Sequence, residues 1–474
     1  MVNALKLCQH GTRAQNEGSR RRPTISMRFK LKNGLNIPIS GAPEQVMDAG
    51  ADVSRVSLLG ADYPGLKPVL AVEEGNRVAL GQTLFTDKNH PQVSYTSPAS
   101  GVVSRIVRGY RRALEGVEIR VGGDDELRFD SYPPEELEAL TAAQVRDLLQ
   151  RSGLWTALRT RPFSRVPPAD GVPQSIFVTA MDSNPLAADP RVVISAYRAD
   201  FMHGLQIIQQ LTDGSVWICT GTGADIPVPN GTRFKTAVFQ GPHPAGLPGT
   251  HIHYLNPVSL TRSVWYLNYQ DVIAIGRLFT SGRLWVERLV AIGGPAVRRP
   301  RLLRTRLGAD LAELLRDELI EAEVRVISGS ILAGRRAADA AAFLGRYHLQ
   351  VSVLREGRER EFLGWLAPGL NKFSASNAYL SAFFPGRKLA MTTTQNGSPR
   401  AMIPVEAYQR VMPLRLLPTQ LLRAILVGDT VAAQELGCLE LDEEDLALCS
   451  FVCPSKYDYG PALRETLNRI EKEG

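Results

Sequence analysis

The sequence predicts a multidomain α+β protein. Three observations carry that expectation. Over residues 28–121, short apolar stretches are punctuated by glycines and show no helical period. Between residues 174 and 240, short buried runs alternate with an amphipathic segment, as in a partly parallel sheet. From Pro404 onward the apolar spacing is mainly helical. The resulting division is an extension over 1–26, a β-unit over 27–127, an α/β domain over 128–255, a strand-rich unit over 256–335, and a mixed then helical segment over 336–474.

The opening "MVNALKLCQHGTRAQNEGSRRRPTIS" is polar, rich in Arg and without periodicity, so it reads as disordered. In "VLAVEEGNRVALGQTLF" the residues Val72, Gly75, Val78, Gly81 and Leu84 recur every third position. Glycines at that spacing fit turns with positive φ, not a helix. Pro98 and Gly101 mark a further turn, and Val102–Val107 and Val117–Val121 alternate faces. A hairpin at "TDKNHPQ" joins the two halves. The unit resembles the biotinyl/lipoyl barrel-sandwich hybrid, in which that hairpin displays a modified lysine. Lys88 stands in the right region, but Asp87 and Asn89 replace the methionines usual there, and a solvated lysine is the simpler reading.

After Pro133–Pro134, "EELEALTAAQVRDLLQRSGLW" predicts a helix with acids in its first turn. "QSIFVTA" predicts a buried strand and "YRADFMHGLQIIQQLTDG" a helix ending at Gly214. "SVWICTG" and "FKTAVFQG" are further strands. "SVWYLNYQDVIAIGRLFTSGRLWVERLVAIGG" reads as strands around a Ser281–Gly282 turn; with the helix "ADLAELLRDEL" and the strand "EVRVISG" it suggests an SLBB-like β-grasp unit. A hairpin is expected around Glu356–Gly357. The helical end comprises "QLLRAILVGD", "TVAAQELG", "EEDLALCSF" and "PALRETLNRIEKE".

The net charge is +7, and most of the 55 basic residues are Arg. They are scattered, without an aromatic-studded stripe, so nucleic acid is not the expected partner; acidic partners or anionic headgroups fit better. Five unevenly spaced Cys argue against a disulfide scaffold and for a reducing compartment. No apolar run approaches the ~18–20 residues of a membrane helix.

The chemistry-bearing candidates are few. Cys449 and Cys453-Pro454 copy the end of a ferredoxin-type run, but Glu443 and Leu446 stand where its first two thiolates belong. Cys438 fits no such spacing. A second frame ending at Pro413 offers Met402, Val405, Tyr408 and Met412. "GPHPAGLPGTHIHY" places His251 and His253 on one face of an expected strand, near His243; nothing in sequence completes a metal site. In "TAMDSNPLAADP", Asp182 and Asn184 follow a strand's C-terminus, where α/β sheets place ligands or cap turns. "TGTGAD" lacks a complete dinucleotide fingerprint.

Several strings are long and chemically unusual: "MRFKLKNGLNIPISGAPEQV", "SPASGVVSRIVRG", "VTAMDSNPLAADP", "GPHPAGLPGTHIH", "TTTQNGSPRAMIPVEAY" and "LGCLELDEEDLALCSFVCPSKYDYGP". Over Met27 to Gly474 they resemble the A subunit of the bacterial sodium-translocating NADH:quinone oxidoreductase (Na+-NQR), related to the C subunit of the Rnf complex. The resemblance implies a peripheral protein on the cytoplasmic face of the bacterial inner membrane. It would belong to a six-subunit translocase that oxidises NADH, reduces ubiquinone and exports sodium. Its partners would be the other subunits, chiefly the membrane-embedded B subunit, with ubiquinone as a further contact. The flavins and iron–sulfur centre would sit on other subunits, so this chain would carry no cofactor or metal and be inactive alone. Relatives carry a Gly-rich flavin loop where this chain reads "SGLWTALRTRPFSRVP", with bulky Trp155, Leu158 and Arg159. The helical end would then resemble a ferredoxin-type module that has lost its clusters. The quinone-facing candidates are Asp182, Asn184, His243 and His251, since imidazole can bond a quinone carbonyl and supply a proton. Two alternatives remain open: a purely structural role, or a flavin-binding carrier like the Rnf relative.

Overall fold

The computed structural model describes residues 26–473, apart from 322, 360–363 and 365. The extension expected over 1–26 lies, but for Ser26, outside the described residues. Residues 55–121 form the barrel-sandwich. One sheet orders Arg55–Leu59, Leu114–Val121, Gly101–Arg108 and Arg77–Val78; the other orders Pro68–Leu70, Thr83–Asp87 and His90–Thr96. Val56, Val78, Leu84, Val103 and Ile119 fill the space between them. Lys88 sits in the turn of the Thr83–Asp87/His90–Thr96 hairpin, where Asp87 Oδ1 accepts the Asn89 N–H at 2.9 Å.

The first two strands leave that unit. Ser26–Lys30 pairs in parallel with Phe234–Gln240, and Phe29 stacks on Phe239 at 4.8 Å. Glu44–Ala49 pairs in parallel with Arg301–Arg306. An N-terminal strand with one apolar face gains more by joining a sheet edge than by lying on a small barrel.

The α/β sheet orders Ser26–Lys30, Phe234–Gln240, Ser215–Gly221, Ser175–Ala180, Val264–Asn268 and Arg159–Arg161, all parallel except the last. Alternation sorts its faces. Ile176, Val178, Val216 and Ile218 turn toward the helices Arg198–Ile208 and Tyr269–Ser281. Phe177, Trp217, Cys219 and Phe239 turn toward Ile252 of the helix Pro248–Leu255.

Four expectations are corrected. Val264–Asn268 and Tyr269–Ser281 belong to this sheet rather than to the β-grasp unit, and the second is a helix. Tyr269 to Gly276, Leu278 and Phe279 are all buried, and the unbroken apolar run Val272–Ile275 reads as readily as a buried strand. The expected Ser281–Gly282 turn is its left-handed C-cap, with Gly282 at φ 67°. The helix expected to reach Gly214 stops at Ile208 and tightens through Gln209–Leu211, because Thr212 Oγ1 donates to Pro173 O at 2.8 Å and turns the chain. The helix expected from Pro134 is broken: a 3-10 segment Pro134–Ala139 precedes Ala142–Ser152, which starts at its own Thr141–Gln144 capping box. Among the described residues no hairpin forms at Glu356–Gly357. Gln350–Arg355 instead completes a fourth sheet, ordered Arg335–Arg336, Val324–Ser328, Gln350–Arg355, Glu287–Gly293, Arg301–Arg306 and Glu44–Ala49. Val351 and Val353 bury against Val290 and Ile292 there, which a surface hairpin could not offer.

The helix "ADLAELLRDEL" shortens to Leu311–Leu314. The helical end contains Ala407–Val411, Pro418–Val427, Thr430–Glu435, Glu443–Val452 and Tyr459–Glu473.

Arg198–Ile208 and Tyr269–Ser281 touch through glycines. A Cβ on Gly276 would lie 1.9 Å from Asp200 O, and one on Gly204 2.0 Å from Val272 O. Gly276→Ala should therefore destabilise the protein by about 1–3 kcal/mol through overpacking, although alanine favours helix elsewhere. Denaturant midpoints of the variant and the parent check the sign.

Candidate functional site

The loops after Ser175–Ala180 and Phe234–Gln240 meet at the C-terminal edge of the sheet. Asp182 Oδ1 accepts the Asn184 backbone N–H at 2.8 Å and its side-chain N–H at 3.0 Å, an Asx turn that fixes the first loop. Ser183 Oγ accepts the Gly246 N–H at 2.8 Å and shares a hydrogen bond with His243 Nδ1 at 3.1 Å. A third segment joins them: the His243 N–H donates to Asn36 Oδ1 at 3.0 Å. Gly246 permits the approach, since a Cβ there would lie 2.6 Å from Ser183 N. Asp182, Asn184 and His243 are thus brought together, with Ser183 and Asn36 as their unforeseen connectors.

His251 is placed differently from the expectation. It lies in the helix Pro248–Leu255, so it shares no strand face with His253. Its buried Nε2 donates to Ala245 O at 3.0 Å, and its ring meets Phe239 at 4.4 Å. His253 points the other way, with Nδ1 on Glu440 Oε2 at 2.8 Å and Nε2 accepting the Arg415 N–H at 3.0 Å. Among the described residues, no group of three or more His, Cys, Asp or Glu side chains gathers as a metal site needs.

Burial lowers the His243 imidazole to about 4 and that of His251 to about 3, against small opposing hydrogen bonds. Both are neutral near pH 7. Burial raises the Asp182 carboxyl to about 6, even with two hydrogen bonds from Asn184 opposing it. Asp182 is the member of the cluster that titrates near neutral pH.

A second cluster had no counterpart among the sequence expectations. Arg161, fully buried, reaches Asp445 Oδ2 at 3.0 Å, Glu444 Oε1 at 3.3 Å and Asp442 Oδ2 at 3.5 Å. Arg159 meets Asp442 at 3.2 Å and lies over the Tyr347 ring at 4.6 Å. Arg464 bonds Glu443 and Asp442, and Ser164 donates to Asp442. Burial opposes charge on Asp442, but Arg161, Arg159 and Arg464 together hold its carboxyl well below the usual range. The seam joins the loop 154–166 to the helix Glu443–Val452.

That loop is where relatives would carry a Gly-rich phosphate cradle. Here Trp155 packs edge-on against Trp265 at 5.3 Å, Leu158 is buried, and Arg159 and Arg161 turn into the seam. Side chains fill the space that backbone N–H groups would need, so the residues do not fit a flavin phosphate. The cluster frames are filled as well. Tyr408, Met412, Leu446, Cys449 and Cys453 share one apolar core, with Met402 and Val405 packed against it. Cys453 Sγ contacts the Tyr408 hydroxyl at 3.2 Å and the Tyr459 hydroxyl at 3.4 Å. Burial pushes the Cys449 and Cys438 thiols up to about 12. With Glu443 and Leu446 at the other two positions of that frame, the thiols of Cys449 and Cys453 are too few to hold an iron–sulfur cubane.

Comparison with known proteins places the chain. Three family profiles match: the NqrA N-terminal barrel-sandwich hybrid domain over 29–122, the NqrA second alpha/beta domain over 140–284, and the NQRA C-terminal domain over 289–339. Curated relatives named as the A subunit of Na(+)-translocating NADH-quinone reductase align over nearly their whole length. The Hahella chejuensis protein is 57% identical over 94% of this chain and 100% of its own; that of Pasteurella multocida is 55% identical over 94% and 99%. The chain belongs to the NqrA family. A solved NAD+-reducing [NiFe]-hydrogenase in the air-oxidized state is also similar, at 13% identity over 72% of this chain and 65% of its own, with a TM-score of 0.33.

The NqrA profile for the second alpha/beta domain reaches residue 284, so it includes the helix Tyr269–Ser281 that periodicity missed. The seam of this NqrA chain was partly visible as "LDEED", an acidic run opening a helix; its partner Arg161 lies 284 residues from Asp445, a separation no local pattern spans.

Removing one partner of the buried seam leaves uncompensated charge. Asp442→Asn should cost about 3–5 kcal/mol near pH 7. Because the folded carboxyl is depressed, its stabilisation exists above the ordinary carboxylate range and is lost as pH falls below about 4. The difference between variant and parent in urea should shrink there. The two imidazoles act in another window. The unfolded chain binds their protons from about pH 6.5 downward while the folded chain does not, so each withdraws up to about 1.4 kcal/mol of stability per pH unit. Asp182, with its raised carboxyl, has the opposite slope between about pH 4 and 6. Unfolding midpoints of His251→Gln between pH 7 and 5 should show a flatter acid slope than the parent.

Proposed function

We propose that the chain is the peripheral, cytoplasmic-side component of a sodium-translocating NADH-quinone reductase. It has no redox centre of its own, rests chiefly on the membrane-embedded B subunit and supports ubiquinone reduction. The observation that carries this reading is the 54–57% identity to NqrA proteins over essentially their entire length. No helix among the described residues is long and apolar enough to cross a membrane. The helical end, on this reading, keeps the frame of a ferredoxin-type module and fills its cluster positions with side chains.

Quinone reduction consumes two electrons and two protons. A chain without a redox centre can contribute binding and a proton. A cavity of about 190 Å³ lies beside the loop cluster, lined by Asn36, Phe373, Tyr379, Phe384 and Arg387 among others. It is smaller than the roughly 300–1,000 Å³ of common ligand pockets, so it suits one ring rather than a dinucleotide. Asn36 links it to His243, and the His243–Ser183 contact leads on to Asp182, the chain neighbour of Ser183. In this arrangement Arg387 offers donors to a quinone carbonyl and Asp182 holds the exchangeable proton. The two histidines then fix the loops rather than touch the ring.

Asp182→Asn keeps the Asx turn and removes the proton. In the assembled complex it should slow quinone reduction tenfold or more, while NADH oxidation by an artificial acceptor is unchanged. Unaltered quinone reduction would favour a purely structural role.

A further inference from the structure

Several large apolar side chains stand exposed in the segment 366–405. Leu366 is 63% exposed, Phe383 78% and Phe384 56%, with Leu370 and Leu380 also exposed. The stretches 368–372 and 379–381 are drawn together because the chain folds back on itself. The Leu380 N–H donates to Pro368 O at 3.0 Å, the Ser381 hydroxyl donates to Lys372 O, and Tyr379 packs on Gly369. The patch is anchored from below. Leu389 is buried and pairs with Ile39, and Phe373 stacks on Phe451 at 6.0 Å. It is a held surface, not a loose loop.

Its charge is one-sided. No Asp or Glu occurs between Glu361 and Glu406, whereas Arg387, Lys388 and Arg400 fall inside that run and are exposed. Protein–protein interfaces are depleted in Asp, Glu and Lys at their cores and enriched in Phe, Tyr, Met and Arg. On its exposed side the run holds Phe383, Phe384, Arg387 and Arg400. Contiguous exposed aromatic side chains of this kind mark interaction sites, whereas apolar residues exposed singly elsewhere need no explanation.

We infer that the patch centred on Phe383 is the surface by which this chain docks on a sister subunit of its complex. The partner surface has a complementary chemistry: an apolar groove for Phe383 and the leucines, rimmed by carboxylates facing Arg387 and Lys388. The inference rests on the reading of the chain as part of a complex. Docking there would cover the mouth of the Asn36–Phe384 cavity and place it between two chains.

The test uses the assembled complex and two variants that avoid the cavity lining. Phe383→Ser and Lys388→Glu should each lower the amount of this chain retained on the purified complex, by tenfold or more for Phe383→Ser. Thermal unfolding of the isolated variants should match the parent, since both side chains point into solvent. Retention at the parental stoichiometry would overturn the inference. So would co-sedimentation of the isolated parent, but not of Phe383→Ser, with phosphatidylglycerol vesicles, which would assign the patch to lipid. A parental chain that co-purifies with no sister subunit would instead sink the reading of the chain as part of a complex.

Discussion

The buried guanidinium of Arg161 is the constraint on which the arrangement depends. It cannot leave its proton, and it has no water to turn to, so Asp442 and Asp445 must stay opposite it. The pairing therefore fixes the helix Glu443–Val452 against the edge strand Arg159–Arg161. It also fixes the loop 154–166, whose Trp155 wedges against Trp265. Charge burial of this kind is weak as a source of stability but strict about geometry. The N-terminus of the helix Pro248–Leu255 obeys the same rule. Gly249 brings its backbone against the Asp445 carboxylate, where a Cβ would come within 2.3 Å.

The same constraint shapes the functional reading. A phosphate cradle needs small residues and free backbone N–H groups; this loop is committed to ion pairs and aromatic packing instead. The helical end is likewise committed to an apolar core in which Cys453 sits between two tyrosine hydroxyls. The proposed site lies instead at the C-terminal edge of the sheet, where Asn36 joins the loop cluster to a small cavity.

Much of the architecture was legible because local chemistry announces it. Glycine spacing marked the barrel-sandwich, short buried runs marked the strands Ser175–Ala180 and Ser215–Gly221, and spacing marked the terminal helices. The helix Tyr269–Ser281 was not legible, since its apolar run Val272–Ile275 fits a buried strand as well as a buried helix. The destinations of Ser26–Lys30 and Glu44–Ala49 were equally hidden, because a strand's sequence does not name its distant neighbour. At the site, the turn chemistry of Asp182 and Asn184 was visible. The opposed orientations of His251 and His253 were not, because the segment was read with a strand's period.

The most direct measurement is an equilibrium titration of the isolated chain with flavin mononucleotide, followed by quenching of flavin fluorescence. If the Arg159–Arg161 loop closes the phosphate position, the titration shows no saturable binding. Stoichiometric quenching at micromolar protein, abolished by substitutions at Trp155 or Arg159, would contradict that.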